Sequence, residues 1–307
     1  MGTDRYVDNS AAIRRVLVIT LVLNLAVAGA KILFGYLTSC ISITSDGFHS
    51  TFDGASNIFG LIGIWIASHP PDKNHPYGHR KFETLFTIFI AVMIFTTCLQ
   101  ILQEVYQSFK GGPSAVVTPT SFAVMFVTMI VNIFVSRYEA RRGRALRSDF
   151  LIADALHTKS DIMTTTSVIA GLVFVKLGFP VADSIAGLVV AFFIARIGIE
   201  ILRKSTDVLV DAVRLSPALI EAQVLKIEGV KGCHDIRTRG SDNAVYLDLH
   251  VLVDPAMTTE KAHAVADRVE IMICNEFPTV VDVVVHIEPA GKPEVLPPTN
   301  PSEGRTS

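Results

Sequence analysis

The chain has 307 residues, of which 50% are hydrophobic and only 18% charged, against about a quarter charged in an average soluble protein. A formal net charge of -2 lacks the basic excess of a nucleic-acid binder, and Cys40, Cys98, Cys233 and Cys274 form no C-x-x-C pair, which argues against a disulfide framework or a zinc ribbon. With a mean hydropathy of +0.45, the composition points to a membrane protein. Its first two-thirds is apolar with clustered Arg and Lys, and its last third mixes charged and apolar residues like a soluble domain.

A short segment, residues 1–12, precedes the first apolar run. That run follows Arg14 and Arg15 and ends without a small-residue cleavage site, so it reads as a retained span rather than a signal peptide. A helical span needs about 20 mostly apolar residues. Six stretches qualify, near 16–37, 41–67, 82–106, 122–135, 150–175 and 181–202. The fourth is the shortest and is expected to extend at either end. They predict an α-helical membrane domain of six transmembrane helices over 13–205. Arg5, Arg14 and Arg15 precede the first span, and Lys73, Arg80 and Lys81 follow the second. Arg137, Arg141, Arg142, Arg144 and Arg147 follow the fourth, and Arg203 and Lys204 the sixth. The other connections carry only Lys110 and Lys176, so the positive-inside rule puts both termini in the cytoplasm.

Residues 206–289 read differently. A helix is expected over 215–227, a strand around 234–239, and another over 244–253. In that strand Leu247, Leu249, Val251 and Val253 alternate with Tyr246, Asp248 and His250. A helix over 259–277, capped by Thr258 or Thr259, and a strand over 281–287 complete an αββαβ order. That order predicts a small α+β cytoplasmic domain with helices on one face of its sheet. Residues 290–307 are rich in Pro, Gly and Ser and read as a disordered tail.

Two spans carry ionisable residues in a repeated pattern. The second contains Asp46, His49 and Asp53, the fifth Asp154, His157 and Asp161, both as D-x-x-H-x-x-x-D. Residues four apart share a helix face about 6 Å apart along the axis, so each helix presents an imidazole beside a carboxylate. Both His–Asp pairs fall roughly 15–20 Å deep, near the midplane. Packed antiparallel, the two helices would bring His49, Asp53, His157 and Asp161 into a tetrahedral site for a divalent ion. Ionisable residues in a membrane are costly and usually functional. The competing readings are hydrogen bonding between helices and bis-histidine haem ligation by His49 and His157; the latter would not need the carboxylates. Asp46 and Asp154 are candidates for outer-sphere partners or proton carriers, or else cap and tie helices.

The loop after the second span contains Asp72, His75 and His79, with Pro76 and Gly78 arguing against a helix. It could wrap the three around a second ion or leave them solvated. In the soluble domain His234, His250, His286 and Glu288 fall on or beside strands, with His263 early in the last helix. They are either one or two further metal sites or ordinary surface histidines.

The segments S-D-G-F-H-S-T-F-D, D-K-N-H-P-Y-G-H-R-K-F-E, D-A-L-H-T-K-S-D, H-D-I-R-T-R and V-V-V-H-I-E-P, in this order, resemble the cation diffusion facilitator family over about residues 10–290. The resemblance implies a homodimer with six spans per subunit and a ferredoxin-like cytoplasmic domain. It implies a transport site at His49, Asp53, His157 and Asp161, a loop site at Asp72, His75 and His79, and a cytoplasmic site at His234, His250, His286 and Glu288, with His263 nearby. His at position 49 resembles zinc-preferring members; many relatives have Asp where this chain has Glu288. Lys81 and Asp211 match positions that pair across the dimer in some relatives.

The expected function is efflux of a divalent metal, Zn²⁺ first, by alternating access in exchange for protons. Histidine suits this because proton and metal compete for one nitrogen. His and carboxylate ligands also suit Fe²⁺, Co²⁺, Mn²⁺, Ni²⁺ and Cd²⁺. The alternative from another class is a metal-sensing or structural membrane protein that binds the ion without moving it. No H-E-x-x-H, G-x-S-x-G or G-x-x-x-x-G-K-[ST] pattern is present, which argues against an enzyme. The expected partners are a second copy of the chain, membrane lipid, metal ions and protons, with no organic cofactor and no nucleic acid. A bacterial inner membrane is the simplest location.

Overall fold

The computed structural model describes residues 9–37, 41–110, 119–176 and 180–291; at 41–49, 52, 53 and some other helical positions the description covers the backbone alone. The first eight residues and most of the expected tail, 292–307, lie outside the described residues.

Six long helices come first: α1 (Ser10–Leu37), α2 (Ile41–Ala67), α3 (Lys81–Phe109), α4 (Pro119–Leu146), α5 (Asp149–Lys176) and α6 (Pro180–Leu209). At 27 to 30 residues each, they run about 40 Å, longer than a hydrocarbon core of about 30 Å. Among the described residues, four hold a segment apolar enough to cross a membrane, within Ser10–Phe34, Lys81–Gln107, Phe122–Leu146 and Ser184–Leu209, and α2 holds a shorter apolar segment, Gly54–Ala67. The first half of α2 carries Asp46, His49 and Asp53, and α5 carries Asp154, His157, Lys159 and Asp161.

The fourth helix reaches well past the apolar run read from the sequence. No Gly or Pro interrupts it between Val135 and Tyr138, and Glu, Ala and Arg are good helix formers, so Arg137 and Glu139 lie on α4. The chain turns at Arg147, whose φ is 52°, and Ser148 N–H donates to Gly143 O at 3.0 Å. Ser148 then starts α5: its hydroxyl accepts from Leu151 N–H at 3.3 Å and donates to Glu83 Oε1 of α3 at 2.6 Å.

α1 lies along α2, α3 along α6, and α5 against α3, α4 and α6. α2 and α5 touch sparsely. One contact between them is at Gly60, where an added Cβ would overlap the ring of the fully buried Phe150. Glycine here admits the close approach, as small residues do between membrane helices. Ile90, Ile94, Leu151 and Ile194 fill the interior, while Val22, Leu99, Phe134 and Phe192 stay more than half exposed, which is the pattern of helices solvated by lipid.

A second compact unit begins at Asp211. It contains α7 (Pro217–Val224), β1 (Gly232–Ser241), β2 (Ala244–Val253), α8 (Thr259–Glu276) and β3 (Val280–Pro289), the expected αββαβ order. The sheet order is β1-β2-β3, with β1 and β2 antiparallel and β2 and β3 parallel through the α8 crossover. Period-two alternation drives β2: Leu247, Leu249, Val251 and Val253 are buried with Ile220, Val224, Val269 and Ile273, while His250 faces the other way. Thr258 caps α8, its hydroxyl accepting from Lys261 N–H at 3.4 Å.

Candidate metal sites

In the membrane helices His157 is 3% exposed, and neither ring nitrogen has a hydrogen-bond partner among the described residues. It lines a cavity of about 20 Å³ with Asp161 and Thr158 of α5, Ser50 and Ser56 of α2, Asn24 and Val27 of α1, and Asn132 of α4. That volume holds little more than one water-sized particle. A buried, unpaired imidazole costs free energy unless something satisfies it, and a small cation would do so. Asp46, His49 and Asp53 lie on α2, and their side chains fall outside those described.

Asp154, one turn before His157, is 2% exposed and sits below the cavity in a polar network. Ser56 Oγ donates to its Oδ1 at 3.0 Å and Asn57 Nδ2 to its Oδ2 at 2.7 Å. Asn24 Nδ2 donates to Asn57 Oδ1 at 2.9 Å, and Asn57 Nδ2 also reaches Thr20 Oγ1 at 3.2 Å. These bonds tie α1, α2 and α5 together at Asp154. Glu139 of α4, fully buried with neither oxygen hydrogen-bonded among the described residues, faces Asp154, Thr20 and Asn57.

The loop after α2 gathers its three donors. Asp72 Oδ1 accepts from the backbone N–H groups of Asn74 at 2.8 Å and His75 at 2.6 Å, and lies 3.2 Å from His75 Nδ1. Asp72 Oδ2 lies 3.4 Å from His79 Nε2. The His75 N–H, above the other donors, holds the Asp72 carboxyl below its ordinary value of 3.8. Gly78, at φ 81°, makes the turn that brings His79 back, and the His75 and His79 rings stand 4.3 Å apart. His69, passed over in the sequence, stands 5.9 Å from the His79 ring, with Nδ1 2.9 Å from Trp65 O.

In the sheet, His234 pairs with His250 and His250 with His286, so three imidazoles form a row across β1, β2 and β3. Glu288, two residues on, crosses this row: its oxygens lie 3.2 Å from His234 Nε2, 3.0 Å from His250 Nδ1 and 3.6 Å from His286 Nε2. His234, His250 and Glu288 offer donor atoms close enough together to bind one ion. His263 is apart from this set, exposed on α8, with Nε2 3.8 Å from Asp267. Burial pushes the Cys233 thiol up to about 11; next to His234 on β1, it turns to the other face and packs against the core.

The sequence reading missed Asn24, Lys31, Asn57 and Glu139. Lys31 and Asn57 were legible as polar residues inside apolar spans. Glu139 was hidden among the arginines past the end of the fourth apolar run.

Residues 17–210 match the cation efflux transmembrane domain and residues 216–290 the cytoplasmic domain of cation efflux proteins. The chain is 33% identical to an uncharacterized transporter of Methanocaldococcus jannaschii, covering 90% of this chain and 98% of that one. It is 30% identical to the manganese efflux system protein MneP of Bacillus subtilis, covering 90% and 96%. It is 27% identical to the cation-efflux pump FieF of Serratia proteamaculans, covering 84% and 87%.

Proposed function

Because this chain belongs to the cation efflux family, we propose that it exports a divalent metal ion, zinc or manganese, through six membrane-spanning helices in exchange for protons. The ion is held by His49, Asp53, His157 and Asp161. The observation that carries this reading is the buried His157, unpaired at both nitrogens, beside Asp161 on a cavity sized for one small particle. Asp53 stands three residues from both Ser50 and Ser56, which line that cavity from α2. Two imidazoles and two carboxylates suit zinc; manganese enters because the similar Bacillus subtilis protein is a manganese efflux system protein.

Facing the cytoplasm, the neutral imidazoles and the carboxylates capture the ion. Facing the more acidic side, the imidazoles take up protons on the nitrogens that held the metal, and the ion leaves. The protons return as the empty site reorients. Asp154 steadies α5 through Ser56 and Asn57, keeping His157 in register with α1 and α2. The loop donors and the histidine row are regulatory sites: an ion bound there favours one arrangement of a homodimer, which needs a difference in affinity between states. Lys81 and Asp211 are the proposed pair across that dimer. The proposed setting is an inner membrane with both termini cytoplasmic.

Flux of zinc and of manganese into proteoliposomes under an imposed pH gradient tests the reading, with the unaltered chain and Asp161→Ala. Gradient-driven flux of either metal, lost in Asp161→Ala, is the expected result. Metal binding without flux in the unaltered chain would overturn transport in favour of a sensor.

A further inference from the structure

Lys31 lies within the apolar span of α1, Ser10–Phe34, yet is only 7% exposed. An ammonium group inside a membrane is expensive, and a lysine near a helix end ordinarily snorkels to the interface. Lys31 does not. Its Nζ donates to Ser50 Oγ at 2.8 Å, and Ser50 is itself 9% exposed. Ser50 lines the same cavity as His157 and Asp161. Asn24 and Val27 of α1 line it too, and Asn24, Val27 and Lys31 fall at i, i+3 and i+7, on one face of the helix. A basic side chain is therefore fastened to a residue of the cavity wall.

We infer that Lys31 is a tethered counter-cation of the membrane site: its ammonium offsets the carboxylate charge of the cytoplasm-facing site, after the protons have left and before a metal arrives, and opposes the metal when it is bound. This rests on the proposed metal site. A flexible four-carbon stem lets a point charge shift by a few ångströms without helix movement, and the Ser50 hydroxyl gives it a place to rest. Once the imidazoles have released their protons, an empty low-dielectric cavity holding carboxylates is unfavourable, and a positive group already in the wall lowers that cost. The same charge repels a divalent ion, and at an effective dielectric near 20 one unit charge several ångströms away weakens binding by about tenfold or more. Lys31 thus trades affinity for release, as a transporter requires of a site that must let go of its cargo.

The experiment is flux of zinc and manganese by the full chain in proteoliposomes, reading KM and kcat separately for Lys31→Gln, Lys31→Arg and Ser50→Ala. Lys31→Gln is expected to lower KM about tenfold and to lower kcat, because the ion binds tighter and leaves more slowly. Lys31→Arg keeps the charge and stays within about threefold of the unaltered chain by the same electrostatics. Ser50→Ala, which removes the hydroxyl that holds the ammonium in the wall, raises KM. A merely structural lysine would give the opposite sign in Lys31→Gln: weaker binding and earlier thermal unfolding. An unchanged or raised KM in folded Lys31→Gln overturns the inference; if that variant does not fold, an unchanged KM in Ser50→Ala does. Flux lost in Asp161→Ala with Lys31→Gln behaving like the unaltered chain overturns the lysine's role alone. Asp161→Ala transporting normally overturns the membrane site and the inference with it.

Discussion

His157 and His250 are both imidazoles near carboxylates, but they stand in opposite circumstances. His157 is buried in the membrane helices with both nitrogens unpaired among the described residues. His250 is on a half-exposed sheet face, 3.0 Å from Glu288, with His234 and His286 on either side. The first has given up its solvation with nothing in return, so an arriving ion recovers the whole of that loss. The second already has a partner, and an ion must displace or share an existing hydrogen bond. The first arrangement suits cargo that must be bound and surrendered. The second suits an ion whose presence is only registered.

Removing each donor in turn is the sharpest way to break this contrast. His157→Ala is expected to cost flux a hundredfold or more, yet in chelator to cost about 1 kcal/mol or less of stability from polar interactions, since no hydrogen bond is lost. Proteoliposome flux and thermal unfolding check this, and unfolding with the mutation would assign the imidazole to structure. Glu288→Ala should leave flux at low metal largely intact but, added to a chain whose membrane and loop sites are already removed by Asp161→Ala and Asp72→Ala, abolish the remaining rise in thermal stability that metal gives. That rise amounts to about 2.7 kcal/mol when metal stands at a hundred times its Kd; its survival in Glu288→Ala would place the ion elsewhere.

Gly60→Val should lower stability by about 1–3 kcal/mol through overpacking against Phe150, with partial recovery on adding Phe150→Ala. Melting curves of both variants would show whether that contact seats α2 on α5. The smallest effect is in the loop. Asp72 is held below 3.8 by the backbone N–H of His75. A depressed carboxyl stabilises its surroundings above the unfolded value and loses that contribution as pH falls through the folded one. The turn at Asn74 and His75 should therefore persist at pH 4 and loosen only below about 3.8, as an NMR titration would reveal; loosening above that pH would contradict the hydrogen bonding.

The soluble unit was legible almost element by element, because strict alternation along 244–253 and a capped amphipathic pattern over 259–277 are short-range signals. The long helices were legible too, although the fourth ran further than its apolar residues because helix formation continues through Arg, Glu and Ala once hydropathy ends. What sequence did not supply was lateral order. That His234, His250 and His286 stand in one row depends on the register of three strands, one of them paired after an eighteen-residue helix. That Ser56 and Asn57 hold Asp154 depends on helices brought together by distant packing. Lys31 was visible as a charge in a span, but nothing local said which wall it faced.

The parallel pairing of β3 beside β2 is long-range and closes only after α8 is in place. Side chains alternate with a period of two, so a slip of one residue would turn His286 and Glu288 toward the helix-covered side. The row as it stands needs the observed alignment of the three strands, and a one-residue slip abolishes it. An ion captured by the row therefore acts as a proofreader of assembly: it rewards the correctly threaded sheet over one slipped by a residue.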